Sequence, residues 1–344
     1  MTAFWAEPDF DAHEQVTLVH DRASGLTAII AVHSTHLGPA AGGTRFWHYA
    51  QPADAMRDAL RLSRGMSYKN AMADLPAGGG KAVILADAAR SKSDAMLTAF
   101  AGAVDALGGR YITAQDVGIT EADMVAVARH TAHAAGLPGQ GGDPGPYTAR
   151  GVYLGVKAAA ARALGTDNLA GVRIAIQGVG SVGGGLARYL AAEGAVLTLA
   201  DLDKDRATRL AGELGADVTG ADTVLAAEAD IVCPCALGAV LTEASIPAIK
   251  ARVVAGGANN QLATGSEGAL LRERGILYAP DYVINAGGII NVLRHIDGAG
   301  DAEINARIDC IPARLEAIWQ ESEASGLSSD VIADRMARQL IGRG

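Results

Sequence analysis

Two apolar-rich, strand-like runs stand near the start of the chain, 16–20 and 26–33. Asp21 and Ser24-Gly25 lie between them, which predicts a hairpin. From 52 to about 66 the period changes. Met56, Ala59, Ser63 and Met66 recur on one face of a helix, and Pro52 suits its first turn. Residues 82–86 (AVILA) form the short apolar run of a buried strand. Residues 93–107 read as a helix closed by Gly108-Gly109, and 111–114 as another strand. Thr120, followed three positions later by Asp123, is a capping box opening a helix over 121–130.

Beyond 172 short apolar strands and helical segments take turns. The strand candidates are 172–177, 195–200, 230–233, 252–255 and 276–278, the pattern of a doubly wound parallel sheet. Two helices, 302–324 and 329–342, close the chain. The stretch 136–146, GLPGQGGDPGP, is too rich in Gly and Pro to be regular and marks a domain boundary. The fold class is therefore α/β in two domains with a cleft between them. Residues 1–140 form an α/β substrate, catalytic and oligomerisation domain, and 141–325 a C-terminal Rossmann domain. The C-terminal helix, 326–344, packs back on the first domain.

Composition narrows the function. With 344 residues, 49% of them hydrophobic, there is material for two cores. A net charge of −9, 4% aromatics and no basic run argue against nucleic acid as a partner. No 18-residue apolar span predicts a membrane helix, and the acidic start MTAFWAEPDFDAHEQ lacks the pattern of an export signal. Cys233, Cys235 and Cys310 form neither a disulfide framework nor a zinc set, so a reduced, cytoplasmic protein without a metal is expected.

Residues 178–183 read GVGSVG, the pattern G-x-G-x-x-G, between the apolar strand VRIAIQ and a helical segment. Gly178 permits the tight turn, Gly180 the approach of a pyrophosphate, and Gly183 close packing of helix on strand. The helix start then offers free N–H groups to the phosphates. About twenty residues on, AVLTLA ends in Asp201, where an acid grips the ribose hydroxyls and favours NAD over NADP. Arg206 and Arg209 follow, as expected of a solvated helix face.

A nucleotide fold does not state a reaction. Four segments of the front domain carry candidate chemistry: GPAAGGTR (38–45), MSYKNA (66–71), GGGK (78–81) and TAQDVG (113–118). Lys69 and Lys81 are read as standing next to unusual, glycine-rich backbone, which lets a lysine approach a ligand and a second lysine. At about 6 Å and an effective dielectric of about 20, two such cations repel by roughly 3 kcal/mol, which would depress Lys81 by about two pKa units. Two other readings stay open on these residues. One is a Rossmann oxidoreductase acting on a non-amino substrate, which needs no lysine pair with an Asp. The other is an inactive NAD-binding regulator, which would be expected to lack the base.

Together with GDPGPYTARGV (142–152), PCALGAVL (234–241), GGANNQL (256–262) and APDYVINAGGIINV (279–292), these segments resemble the glutamate, leucine, phenylalanine and valine dehydrogenase family, closest to leucine and phenylalanine dehydrogenases. The resemblance runs from about 10 to 340. It implies NAD-dependent, reversible oxidative deamination of a hydrophobic L-amino acid to the 2-oxo acid and ammonia, by a homo-oligomer of two to eight chains. Lys81 is implied as the catalytic lysine, and Asp116 as the acid assisting proton transfer. Lys69 and Asn260 are implied to hold the substrate carboxylate, Gly42 to offer a carbonyl, and Ala41, Ala114, Ile289 and Val292 to line the side-chain pocket. Gly178, Gly180, Ser181, Val182, Gly183, Asp201, Cys235, Ala236 and Asn260 are implied to line the cofactor. Glutamate is disfavoured, because no charged residue stands in that pocket. Ala41, where leucine dehydrogenases tend to have Leu, leans toward a bulky or aromatic side chain. Gln115 stands where leucine and phenylalanine dehydrogenases usually carry Glu, and should relieve like-charge pressure on Asp116.

Overall fold

The computed structural model describes residues 4–344 except 8, 90, 140 and 141. The chain falls into two compact units. One comprises Met1–Gly142, Val292–Ala299 and Ala337–Gly344, the other Asp143–Asn291 and Gly300–Met336. The boundary expected between 140 and 141 lies outside the described residues. The returning segment begins at Ala337 rather than at 326, and 292–299 joins the first unit as well.

The first unit holds β1 (Gln15–Asp21), β2 (Leu26–Ser34), β3 (Ala40–Trp47), α1 (Pro52–Met72), β4 (Gly78–Leu85), α2 (Asp94–Asp105), β5 (Tyr111–Gln115) and α3 (Glu121–Ala128). Its sheet has the order β1-β2-β4-β3-β5. The hairpin is antiparallel, as is β2 on β4, whereas β3 runs parallel to both β4 and β5. Strand β3 is absent from the sequence reading: AAGGTRFW is buried by sheet and helices, so small residues replace alternation. Helix α1 also runs to Met72, one and a half turns beyond 66. The capping box at Thr120 forms as expected, with both reciprocal hydrogen bonds.

The two faces of this sheet bury different sets. Leu26, Ile30, Val32, Phe46, Ile84 and Tyr111 pack with Leu97 and Phe100 of α2 and Met124 of α3. On the other face Ile29, Ala31 and Val83 pack with Ala55 and Ala59 of α1. Since alternate residues of a strand share a face, Gly79 and Lys81 of β4 point with Val83 toward α1. Contact is closest at Gly79, where a Cβ would stand 2.0 Å from the backbone nitrogen of Ser67. Only glycine allows α1 to rest on β4 there.

The second unit continues with α4 (Gly145–Leu164), β6 (Arg173–Gln177), α5 (Ser181–Ala192), β7 (Val196–Ala200), α6 (Lys204–Leu214), β8 (Asp217–Val218), β9 (Ile231–Pro234), β10 (Val253–Val254), α7 (Glu267–Glu273), β11 (Leu277–Tyr278) and α8 (Asp281–Ile284). Then come α9 (Gly287–Val292), α10 (Arg294–Asp297), α11 (Asp301–Asp309), α12 (Ile311–Ser325) and α13 (Ser329–Leu340), with the chain passing between units as stated. The sheet order β11-β10-β9-β6-β7-β8, all parallel, is the doubly wound dinucleotide-binding arrangement. The single helix expected over 302–324 is two. Pro312 lacks an N–H and restricts the residue before it, so the chain restarts at Ile311. Among the described residues no helix is long and apolar enough to cross a membrane.

In the first unit, C-terminal residues are tied to the N-terminal segment through a buried imidazole. His33 Nδ1 bonds Ser67 Oγ at 2.8 Å, and its Nε2 accepts from Arg343 at 2.8 Å. Arg338 pairs with Asp11 at 3.1 Å. Burial, then the charge of Arg343, pushes His33 down from 6.5 to about 3, so it folds neutral. The unfolded chain binds this proton and the folded chain does not. The stability tied to His33 is therefore complete above about pH 6.5 and drains by about 1.4 kcal/mol per pH unit as pH falls toward 3. Chemical denaturation between pH 6.5 and 4 should show that slope. A His33→Gln variant, whatever its own stability, should lose about one proton's worth of it.

Candidate active site and dinucleotide site

The first cluster is built on the α1 face of the first sheet. Lys81 has 7% side-chain exposure, and its Nζ donates to Asp116 Oδ2 at 2.6 Å. Asp116 stands just beyond β5. Arg45, on β3 opposite Val83, brings Nε to the same Asp116 oxygen at 3.3 Å, while its Nη1 meets Asp58 Oδ2 of α1 at 2.8 Å. Asp58 also accepts from Tyr49 Oη at 2.8 Å and Arg61 Nη2 at 3.2 Å.

Burial is the largest influence on Lys81 and lowers its pKa. Asp116 pulls it back, Arg45 pushes it down again, and the net direction is down. Burial raises the Asp116 carboxyl, but Lys81, Arg45 and the Val117 N–H overcome it and hold it below the ordinary carboxylate value. Arg45 is thus a cation that reinforces the effect of burial on Lys81.

The other expected residues take these places. Lys69 is half-buried in the last turn of α1, the part of the helix that rests on the glycines of β4. Its neighbour Asn70 ties that turn to β4 by donating to the Gly78 carbonyl at 2.6 Å. Ala41 pairs with Gly79 and Ile112, and Ala114 pairs with Gly43, so both lie in the strands that carry the Lys81 cluster. The Gly42 carbonyl already accepts from Tyr111 Oη at 2.7 Å. Gln115 is exposed at the end of β5, on the opposite side of the strand from Ala114. Ile289 and Val292 belong to α9. Ile289 groups with the second unit, and Val292 with the first, where its Cγ1 is 3.8 Å from where a Cβ on Gly136 would stand.

The second cluster lies in the other unit, at the carboxyl ends of β6 and β9 where the strand order reverses. A cavity of about 470 Å3 there is lined by Gly178, Gly180, Asp201, Cys235 and Ala236, all expected. Ser181, Val182 and Gly183 form the first turn of α5. A Cβ on Gly183 would stand 1.8 Å from the Gly178 carbonyl, so helix and turn meet backbone to backbone. Over Gly180 the space is open, with nothing within 4 Å of an added Cβ, which is the room a pyrophosphate needs.

Asp201 accepts from the Val179 N–H at 2.8 Å and the Asp203 N–H at 2.9 Å. Burial works against its ionisation, but these donors and Arg206 hold its carboxyl low. The residues present fit a dinucleotide. Asn260 is not in the cavity wall. It sits in a loop with φ +52°, and its carbonyl accepts from Ala239 at 2.6 Å.

Several site residues were missed. Arg45 stood in the quoted GGTR but was given no role, because β3 was not recognised as a strand whose alternate residues share a face. Asp58 looks like any acid on a helix surface. In the dinucleotide cavity Leu202 and Leu237 are 80% and 68% exposed, two apolar walls suited to a flat base. Arg206, expected on a solvated face, lines the cavity and comes within 3.5 Å of Asp201.

Known proteins match this arrangement. Residues 12–133 match the Glu/Leu/Phe/Val dehydrogenase dimerisation domain, and 198–293 the Glutamate/Leucine/Phenylalanine/Valine dehydrogenase domain. A leucine dehydrogenase of Geobacillus stearothermophilus is 46% identical over 96% of this chain and 90% of its own. A valine dehydrogenase of Streptomyces albus is 46% identical over 97% and 93%. The crystal structure of an L-tryptophan dehydrogenase from Nostoc punctiforme superposes with TM-score 0.86 at 40% identity, covering 96% of both chains. The chain therefore belongs to the Glu/Leu/Phe/Val dehydrogenase family and is an NAD(P)-dependent amino-acid dehydrogenase.

Proposed function

We propose that the protein catalyses reversible, NAD-dependent oxidative deamination of a hydrophobic L-amino acid, as a homo-oligomer in the cytoplasm. The observation that carries this reading is a buried lysine–carboxylate pair, Lys81 and Asp116, on strands whose nearby wall residues, Ala41 and Ala114, are small and uncharged. An unpaired second substrate carboxylate against that wall would cost several kcal/mol, which disfavours glutamate.

Lys69 holds the substrate carboxylate. The Gly42 carbonyl, with one lone pair taken by Tyr111, offers the other to the substrate nitrogen. Oxidation needs the amine neutral, and its proton leaves through the pair to the medium. When bound, the nicotinamide supplies the hydride acceptor. Lys81, whose burial favours the neutral amine, then accepts a proton from the water that attacks the substrate iminium. Asp116, ionised at rest, relays that proton from Lys81 to the carbinolamine nitrogen; ammonia leaves as the C=O forms, and Lys81, neutral again, takes the hydroxyl proton. The α5 N-terminus takes the pyrophosphate, and Asp201 the ribose hydroxyls. Arg206 would welcome a 2′-phosphate, but the fixed carboxylate of Asp201 repels it.

Ala41 gives room for an aromatic chain, and relatives named for leucine and valine bring the branched aliphatic chains forward equally. The edge strand β1, with Leu18 69% exposed, suits pairing between copies.

Lys81→Ala should lower kcat by roughly a thousandfold or more while NADH still titrates, because the base is lost and the dinucleotide unit is intact. Retention of more than about a tenth of the activity would contradict the mechanism. Lys69→Ala should act mainly on KM. Asp201→Ser should narrow an NAD preference of at least about tenfold in kcat/KM; equal use of both cofactors by the unmodified protein would remove Asp201 from this role. Ala41→Leu should cost phenylalanine about ten- to a hundredfold in kcat/KM and spare valine, since each added methylene fills about 0.8 kcal/mol of side-chain burial. Equal losses for both substrates, with a lowered Tm, would mean that Ala41 only packs.

A further inference from the structure

We propose that Arg45, braced by Asp58, is a positioning residue that clamps Asp116 beside Lys81, so that Lys81 gives up its proton while the carboxylate keeps its place and its charge. This rests on the reading of Lys81 as the base. The geometry is a short relay. One oxygen of Asp116 receives Lys81 Nζ at 2.6 Å and Arg45 Nε at 3.3 Å. The other end of the guanidinium donates to Asp58 at 2.8 Å, and Asp58 is itself fixed by Tyr49 and Arg61. Arg45 is thus gripped at both ends of a planar fork, and Asp116 is gripped from both sides.

A buried carboxylate whose only counterion is a lysine has a difficulty. When that lysine becomes neutral, the carboxylate is left without a charge partner and takes up the proton. Lys81 and Asp116 would then trade one proton between themselves and neither would serve the substrate. An arginine does not deprotonate near neutral pH. With Arg45 in place, Asp116 has a permanent cation whether Lys81 is charged or not. Lys81 can therefore be neutral next to an ionised Asp116, the state in which it accepts a proton from water.

The charged and titratable groups around the pair come from every neighbouring element: Arg45 on β3, Tyr49 after it, Asp58 and Arg61 on α1, and Tyr111 on β5. Their signs differ at Lys81. Arg45 favours the neutral amine and Asp58 favours the ammonium. Removing Arg45 should therefore raise the pKa of Lys81, and removing the charge of Asp58 should lower it.

That opposition is the test. In the full-length protein the acidic limb of kcat/KM for amino-acid oxidation should move up by about one pH unit in Arg45→Gln and down in Asp58→Asn. Arg45→Lys should restore the limb in part, because an ammonium supplies the charge but cannot make both contacts. In parallel, the pH dependence of reductive methylation at Lys81, read by peptide mass spectrometry, should shift in the same opposed directions. Limbs that stay in place, or move the same way in both variants, while kcat falls would make Arg45 a structural residue and overturn the proposal. Should Arg45→Gln fail to fold, Arg45→Lys, with a smaller upward shift, and Asp58→Asn, with a downward one, still carry the opposition. The labelling needs no turnover: a protein that oxidised no amino acid would defeat the reading under Proposed function, and the opposed shifts at Lys81 would still decide the role of Arg45.

Discussion

One contact sets the terms for the first unit: the Lys81 ammonium against the Asp116 carboxylate, inside a layer formed by a sheet and a helix. Burying either charge alone costs far more than a folded chain of this size has to spare. The pair is tolerated because opposite charges meet across β3, from β4 and from the turn after β5, and because Arg45 and Asp58 extend it into an alternating chain of charges. That chain closes only if α1, which carries Asp58 and Lys69, lies directly on β4. Gly79 is what allows it, since any side chain there would meet Ser67 at backbone distance. Gly79 therefore removes the thickness that would otherwise separate the helix from the strand, whereas a Cβ on Gly80 would meet the Tyr111 ring on the other face.

This explains which parts were legible in the sequence. The second unit announced itself, because its strands are buried runs separated by helices of ordinary period, and its glycine turn stands in the expected strand–turn–helix context. The hairpin and the Thr120 capping box were equally plain, since strand-like runs about a turn and caps are local. Strand β3 was not, for a physical reason. AAGGTRFW lies between two parallel neighbours, its first half AAGG is small and reads as a loop, and only TRFW alternates, over four residues. With β3 unrecognised, Arg45 could not be placed on the face of Lys81, and its share in lowering Lys81 was not legible. The Pro312 break was readable in principle but was overrun by the apolar period on either side of it.

The two units handle buried charge by different means. In the first, charge is adjustable: Lys81 is pushed toward neutrality by burial and a neighbouring cation, so its proton can move. In the second, charge is fixed. Asp201 is held ionised by two backbone N–H groups that belong to the glycine turn and the loop beyond β7. The same hydrogen bonds that aim it at a ribose make its protonation unfavourable. Cys235 shows the complementary choice. It lines the dinucleotide cavity, yet burial pushes its thiol up to about 11, so no thiolate stands near the place for the phosphates. Proton transfer and recognition call for opposite properties in an acid: one must be free to change state and the other must not. The fold supplies the first with a charged side-chain relay between helix and sheet, and the second with main-chain donors at a turn, where no change of pH in the working range can disturb them.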